Sequence, residues 1–395
     1  MAQTTPSTAD AGATPDAAAL CRYLDGDHHD IKQQVRERMT KPEFAPVGVL
    51  PREEHRERVM EWMLSLAASG QTGLGFPESV GGQGNPGGAI AAFETMGHHD
   101  LSLLVKCGVQ FGLFGGAIHH LGNEEHHRKY LRGAYTAELP GCFAMTESGH
   151  GSNVQAVETT ATYDQDASEW VVHTPTPSAR KDYIGNAARD GRLAVVFAQL
   201  HVGGENQGVH ALLVPIRDDD GNACAGVTLE DCGDKLGLQG VDNGRIIFDQ
   251  VRVPRDALLD RYGTVGSDGL YSSSIENINR RFFTTIGTLI QGRVSVGGAS
   301  IAATKNALSI AIRYAARRRQ FGPPDSDTEA LLLDYRQHQR RLLPALATTY
   351  ALHFAQQELI GSLHRAFTDD DDWSDRDQRK LLPALAKSYA LHFAQ

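Results

Sequence analysis

The sequence predicts a multidomain α+β protein whose order is helices, then strands, then helices. Three observations carry this. Apolar residues recur at mixed three- and four-residue steps before about residue 140 and again from about Asn277. Between them, from Gly141 to about Leu259, short β-prone runs are separated by turn clusters such as Asp218-Asp-Asp-Gly221 and Asp242-Asn-Gly244. That interval holds no long helical patterns between its strands, which excludes a doubly wound α/β domain.

Residues 1–17 read as a disordered tail. Met1 to Pro15 is rich in Ala, Thr, Ser, Gly and Pro and lacks the basic stretch and apolar core of a secretory signal. Residues 18–140 read as an N-terminal helical domain. Within it, Glu54 to Ala67 places Val59, Met60, Met63 and Leu66 on one face, and Gly75-Phe-Pro-Glu78 with Gly81-Gly-Gln-Gly84 forms a loop. Gly88 to Gly97 and Leu101 to Leu121 are further helical runs, the second expected to be buried on most sides. Residues 141–260 read as a middle antiparallel β-domain, a sandwich or barrel. Its runs include Phe143 to Met145, Glu158 to Tyr163, Trp170 to His173, Leu193 to Phe197, His210 to Val214 and Ile246 to Phe248.

Residues 275–395 read as an incomplete C-terminal helical domain. A long helix is expected from Asn277 to Arg317, ending near Phe321-Gly322 before Pro323-Pro324. Ala330 to Gln356 reads as a helix or helix pair around Pro344, and Thr368 to Asp377 as an acidic loop. Leu342 to Gln356 reappears as Leu381 to Gln395, with only Thr348/Lys387 and Thr349/Ser388 differing. A solenoid needs at least about three stacked repeats. One copy points to a duplication or an assembly error rather than to repeat architecture.

Composition narrows the function. The 395 residues suffice for two or three packed domains, and 41% hydrophobic with 22% charged residues is globular. A net charge of −10 argues against nucleic acid or an anionic membrane as partner. Five scattered cysteines without a C-x-x-C argue against a disulfide framework or a cysteine zinc site and for a reducing compartment. No apolar run is read as approaching the ~20 residues that span a bilayer. The chain finishes at Ala394-Gln395, without a Ser-Lys-Leu address.

The most informative segment is Gly141-Cys-Phe-Ala-Met-Thr-Glu-Ser-Gly-His-Gly-Ser-Asn153, closing with Val157-Glu-Thr-Thr-Ala-Thr-Tyr163. A β-run enters a glycine-rich turn with hydroxyls at Thr146 and Ser152. Glycines let the backbone approach a flat or anionic ligand, and their amides can form an anion nest. The segment is neither a Walker A nor a G-x-G-x-x-G motif. By itself it reads equally as a tight turn between strands.

This segment resembles the flavin-contacting strand of acyl-CoA oxidases, within the wider acyl-CoA dehydrogenase family. Dehydrogenases of that family carry Thr-Glu-Pro and Gly-Ser-Asp there. Here Ser148 replaces the Pro, Gly149-His150 precedes the Gly-Ser, and Asn153 replaces the Asp, which favours the oxidase branch. Tyr183-Ile-Gly185-Asn resembles the loop at the flavin edge, and His210-Ala-Leu-Leu-Val-Pro-Ile-Arg217 an oxidase strand. Lys235-Leu-Gly, Asp242-Asn-Gly244 and Val251-Arg-Val-Pro-Arg255 are similar to the end of the family's β-domain. Tyr314 to Gly322 resembles its Arg-x-Gln-Phe-Gly signature. The likeness runs from about Gly122 to Gln356 and, more weakly, back to Gly75-Phe-Pro-Glu78.

The resemblance implies an acyl-CoA dehydrogenase-like fold, FAD as cofactor, acyl-CoA as substrate and a homodimer. It implies α,β-desaturation to a trans-2-enoyl-CoA with O2 as acceptor and H2O2 as product, in fatty acid β-oxidation. Thr146 is placed at the isoalloxazine and Gly185 at the ring edge. Ser152 and the Gly149–Gly151 backbone fall near cofactor phosphates or the pantetheine. Arg318 and Gln320 point to the pyrophosphate of the neighbouring subunit's FAD, where a guanidinium suits phosphate. The compartment is cytoplasmic in a bacterium or peroxisomal in a eukaryote, not secretory. The family's base is a Glu in a Phe-Glu-Gly-Glu-Asn segment; neither this nor Cys-Gly-Gly-His-Gly-Tyr occurs here. The base is therefore expected beyond residue 395, none is assigned, and the chain alone is not expected to turn over normally. The alternatives are a dehydrogenase using an electron-transfer flavoprotein and a non-catalytic FAD- or acyl-CoA-binding remnant.

Two features invite other readings. His98-His99, His119-His120 and His126-His127 suggest a metal, but adjacent residues face different sides of a helix and no carboxylate completes a site, so none is expected. Glu147 could be taken for a base. Along a strand its side chain points opposite to that of Thr146, so a structural role is expected.

Overall fold

The computed structural model describes residues 16–368 except 323, 325 and 326. Most of the N-terminal tail, the acidic stretch after Thr368 and the second copy, 381–395, lie outside the described residues.

Six helical segments come first: α1 Ala17–Asp25, α2 His29–Met39, α3 Arg52–Ala68, α4 Pro86–Met96, α5 Leu101–Leu121 and α6 at 124–135. Local chemistry sets several starts. Asp16 caps α1, Asn85 caps α4 with Pro86 at its first position, and the Asp100 carboxylate accepts from Ser102 N and Leu103 N at the start of α5. The α3 face foreseen from Val59, Met63 and Leu66 is buried, with Trp62 beside it.

The central helix α5 corrects one expectation. Its 21 residues have a mean hydropathy of 1.6 in their most apolar window, enough by length and composition to cross a bilayer. Yet 61% of that window is buried inside the protein, so apolar character here marks a core helix. Its middle, Gly108–Gly115, is wound as a π-helix.

The strands are β1 Gly141–Ala144, β2 Thr160–Asp164, β3 Glu169–His173, β4 Lys181–Ile184, β5 Leu193–Val202, β6 Glu205–Pro215, β7 Val227–Asp231, β8 Gly244–Phe248 and β9 Val251–Pro254. A short hairpin, β10 Thr264–Val265 with β11 Tyr271–Ser272, follows. The main sheet runs β1-β5-β2-β3-β9, with β6 also on β5, and a second sheet runs β4-β8-β7. The pairing is mostly antiparallel, with one departure: both β1 and β2 run parallel to β5. β1 pairs with Leu193–Val196, and β2 takes over at Gln199–His201. The glycine-rich turn therefore sits where β5 changes partner.

β5 is buried on both faces, which explains its unbroken apolar run. Ala194, Val196, Ala198 and Leu200 face the inter-sheet core with Trp170 and Phe248. Leu193, Val195 and Phe197 face a second core containing Phe114, Ile118 and Leu131 from α5 and α6.

Three further helices follow: α7 Ile278–Thr285, α8 Leu289–Ala315 and α9 Arg336–Thr368. The long helix foreseen from Asn277 is split in two and ends at Ala315, short of Phe321. Beyond it the chain forms an extended bridge between Arg319 and Leu331. α9 is one helix with Pro344 inside it. α8 packs on α4 and α9, where Ile90, Ile290, Val294, Ile360 and Leu363 form one buried cluster.

Candidate functional site

The site is built where the turn after β1 meets β4. Thr146 and Asp182 form a reciprocal pair: Asp182 N donates to Thr146 O at 3.1 Å, and Thr146 Oγ1 donates to Asp182 O at 2.9 Å. Ser148 N donates to Arg180 O at 2.9 Å, so the two segments run as a short ladder. Glu147 turns inward. It is fully buried, 2.9 Å from Lys181 Nζ, and accepts from Glu158 N, Thr159 N and Thr159 Oγ1. Lys181 also donates to Met145 O and Phe197 O, and burial holds its ammonium at about 8, below the usual lysine range. Glu147 is thus committed to holding the turn.

Past the partner change, Gly151 and Ser152 are exposed, and their amides donate to no group among the described residues. Gly185, three residues after Asp182, is buried against α5; a Cβ there would lie 2.7 Å from Val109 Cγ2. A side chain at 185 would push the loop off the helix. Asn186 follows in the left-handed region, φ 66°.

The same helix walls an apolar cavity of ≈550 Å³, a size suited to a small organic ligand. Phe93, Met96, Leu104 and Val296 line it, from α4, α5 and α8. Gly108, Gly112 and Gly116, spaced four apart on α5, open its wall; at Gly112 and Gly116 a Cβ would meet nothing within 4 Å. Val109 lines the cavity as well as touching Gly185. His119 and His120 add polar groups, held neutral by burial at about 2 and about 4. Among the described residues no carboxylate lines this cavity.

Thr146 and Gly185 therefore lie on two joined segments, but neither they nor Ser152 line the apolar cavity. Arg318 and Gln320 are exposed, and their side chains make no hydrogen bond among the described residues. The paired histidines have separate structural partners: His126 bonds Asn123 N and Asp256 O, His127 bonds His119 O, and His99 bonds Phe44 O. Two other groups are close enough to hold a cation, but their carboxylates are taken. Asp25 beside Cys21 and His29 is gripped by Arg36, and Glu147 beside His150 and Glu158 by Lys181. Sequence reasoning missed Lys106 and Gln110. Their signal was two polar residues four apart in an otherwise apolar helical run, which implies buried partners on one face.

Comparison with known proteins agrees with this layout. Residues 25–138 match the family described as Acyl-CoA dehydrogenase, N-terminal domain, residues 142–251 its middle domain, and residues 286–377 the Acyl-CoA oxidase, C-alpha1 domain. Peroxisomal acyl-coenzyme A oxidase 3 of Arabidopsis thaliana is 49% identical over 270 residues, 68% of this chain and 40% of its own length. Acyl-coenzyme A oxidase 2 of the same plant is 43% identical over 350 residues, 87% and 50%. The chain thus spans half or less of the length of these relatives. The crystal structure of acyl-CoA oxidase 1 from Yarrowia lipolytica has a TM-score of 0.79 at 32% identity, covering 94% of this chain and 54% of that one. Acyl-CoA oxidase-1 of Caenorhabditis elegans, complexed with FAD and ATP, has a TM-score of 0.74 at 26% identity, covering 95% and 53%.

Proposed function

The chain belongs to the acyl-CoA oxidase family, and from that premise we propose that it serves FAD-dependent α,β-desaturation of acyl-CoA to trans-2-enoyl-CoA. The acceptor in this reading is O2 and the by-product H2O2. The observation that carries it is the apolar cavity whose wall, α5, also seats the Gly185 loop. An alkyl chain in that cavity would lie one helix away from a ligand at the loop.

The residues present fit FAD. Thr146 Oγ1 donates to Asp182 O and so keeps lone pairs free to accept from a ligand. The Gly151 and Ser152 amides, unpaired among the described residues, suit phosphate oxygens of the cofactor or of the CoA moiety. Gly185 lets the backbone come close at the ring edge. Arg318 and Gln320, exposed on one chain, would reach the FAD pyrophosphate of a second copy, making the protein a homodimer. FAD, when bound, supplies the two-electron redox chemistry. The boundaries we assign to the three domains are 18–140, 141–260 and 275–395. The compartment in this reading is the peroxisome in a eukaryote and the cytoplasm in a bacterium.

One observation favours a second reading. With no carboxylate on the cavity wall among the described residues, the chain would bind FAD and acyl-CoA without turnover. Peroxide release from the FAD-saturated protein, with a series of acyl-CoAs, separates the two. Peroxide formation supports the oxidase. Electron delivery only to an electron-transfer flavoprotein would make it a dehydrogenase. Flavin bound and perturbed by acyl-CoA without either would favour the binding-only reading.

A further inference from the structure

We propose that Lys106 is a positioning residue that ties the cavity-wall helix to the loop at the flavin edge and sets their separation. The inference rests on the flavin reading above. Lys106 is the only Lys, Arg, Asp or Glu in α5, and it is fully buried. Its ammonium meets three oxygens: Asp242 Oδ1 at 2.6 Å, Asp190 Oδ2 at 2.7 Å and Asn186 Oδ1 at 3.0 Å. All three donors are used, and all three partners belong to the β-domain side.

A wholly apolar contact in place of the ion pair would join the two parts at comparable or lower cost, because a buried ammonium carries a desolvation cost that its partners must first repay. What the charged arrangement adds is direction. Asp242 Oδ2 accepts from Arg189 N at 3.1 Å and Asp190 N at 3.0 Å, which locks the loop's far end. Asn186 Nδ2 donates to Gly141 O at 2.8 Å, joining the loop to the start of β1. One turn along α5, Gln110 Oε1 accepts from Gly141 N at 2.8 Å. Lys106 and Gln110 therefore grip the starts of the two segments that carry Thr146 and Gly185. Between them lies Val109, which touches both Gly185 and the cavity.

The buried pair Lys32–Glu94, at 2.7 Å, joins α2 to α4 and touches neither segment, so it serves as the internal control. The experiment compares the full chain with two charge-neutral doubles, Lys106→Met/Asp242→Asn and Lys32→Met/Glu94→Gln. FAD affinity is read from flavin fluorescence. Acyl-CoA coupling is read from the change it causes in the visible flavin band, and the apoprotein melting midpoint reports folding. We expect FAD affinity about tenfold weaker and the band change lost in the first double, with both retained in the second; tenfold is about 1.4 kcal/mol. Unchanged affinity and band in the first double, or equal losses in both, overturn the proposal. If the first double does not fold, Asp190→Asn keeps the Lys106–Asp242 pair and tests the same point. It should weaken FAD affinity and alter the band, and wild-type values would overturn the proposal. A wild-type chain that takes up no FAD overturns the cofactor reading itself, and this inference with it.

Discussion

Lys106 Nζ lies 2.6 Å from Asp242 Oδ1, and neither side chain reaches solvent. This contact joins the most apolar helix of the N-terminal region to the turn before β8. It links the cavity-wall helix to the loop that follows Gly185.

The Glu147–Lys181 pair should be a stability element with no part in proton transfer. Lys181→Met leaves a buried carboxylate facing Thr159 and the Glu158 amide. Breaking such a pair costs about 3–5 kcal/mol. Urea unfolding should show a loss of that size. A loss below about 1 kcal/mol, the ordinary worth of an exposed pair, would mean that the two charges are not shielded from water as described.

The glycine stripe on α5 should set how long a chain the cavity admits. Gly112→Leu projects into open space and should shift preference to shorter acyl-CoAs. Gly112→Ala should fold as well as the parent, since alanine favours a helix over glycine by about 1 kcal/mol. Binding across an acyl-CoA series checks this. An unchanged series in Gly112→Leu would remove the cavity from the acyl site.

The His119–His120 pair should make the protein acid-sensitive. Both imidazoles titrate lower when folded than the ordinary 6.5, because burial disfavours the cation. The unfolded chain then binds more protons below about pH 6.5, so stability falls as pH drops through that value toward the folded pKa values. Between 6.5 and 5 each contributes up to about 2 kcal/mol of loss. A His119→Phe/His120→Gln double should show a shallower decline in urea midpoint from pH 7 to pH 5. The same slope in both proteins would contradict it.

Arg318 should matter for cofactor retention but not for folding, since its side chain is exposed and makes no hydrogen bond among the described residues. Arg318→Ala should weaken FAD binding by about 1.5–3 kcal/mol, the range for a hydrogen bond to a charged group. Flavin occupancy after dialysis, beside an unchanged melting midpoint, is the readout. Full occupancy in the variant would remove Arg318 from the cofactor site.

Much of the architecture was legible because period reports burial. The run Leu193 to Phe197 marked a strand, which the structure covers on both faces, and Val59, Met63 and Leu66 marked the inner face of α3. Parallel pairing of β1 and β2 with β5 was not legible, since partner choice depends on residues some 40 to 50 positions apart. That Thr146 and Glu147 point opposite ways followed from strand alternation; that Glu147 is the buried one came from the structure. The identity of Lys181 as Glu147's partner did not, because it comes from another strand. The cavity escaped the sequence for the same reason: its walls come from α4, α5 and α8, and only the spacing of Gly108, Gly112 and Gly116 hinted at it.

The central claim is that one chain places an acyl tail beside a flavin. An anaerobic titration tests it without requiring turnover. FAD-loaded protein is titrated with a long-chain acyl-CoA and, separately, with free CoA, while the visible flavin band is followed. The account predicts a saturable change with acyl-CoA, little change with CoA, and loss of the acyl response in Gly112→Leu. A flavin band that ignores acyl-CoA, or responds equally to CoA alone, would contradict it.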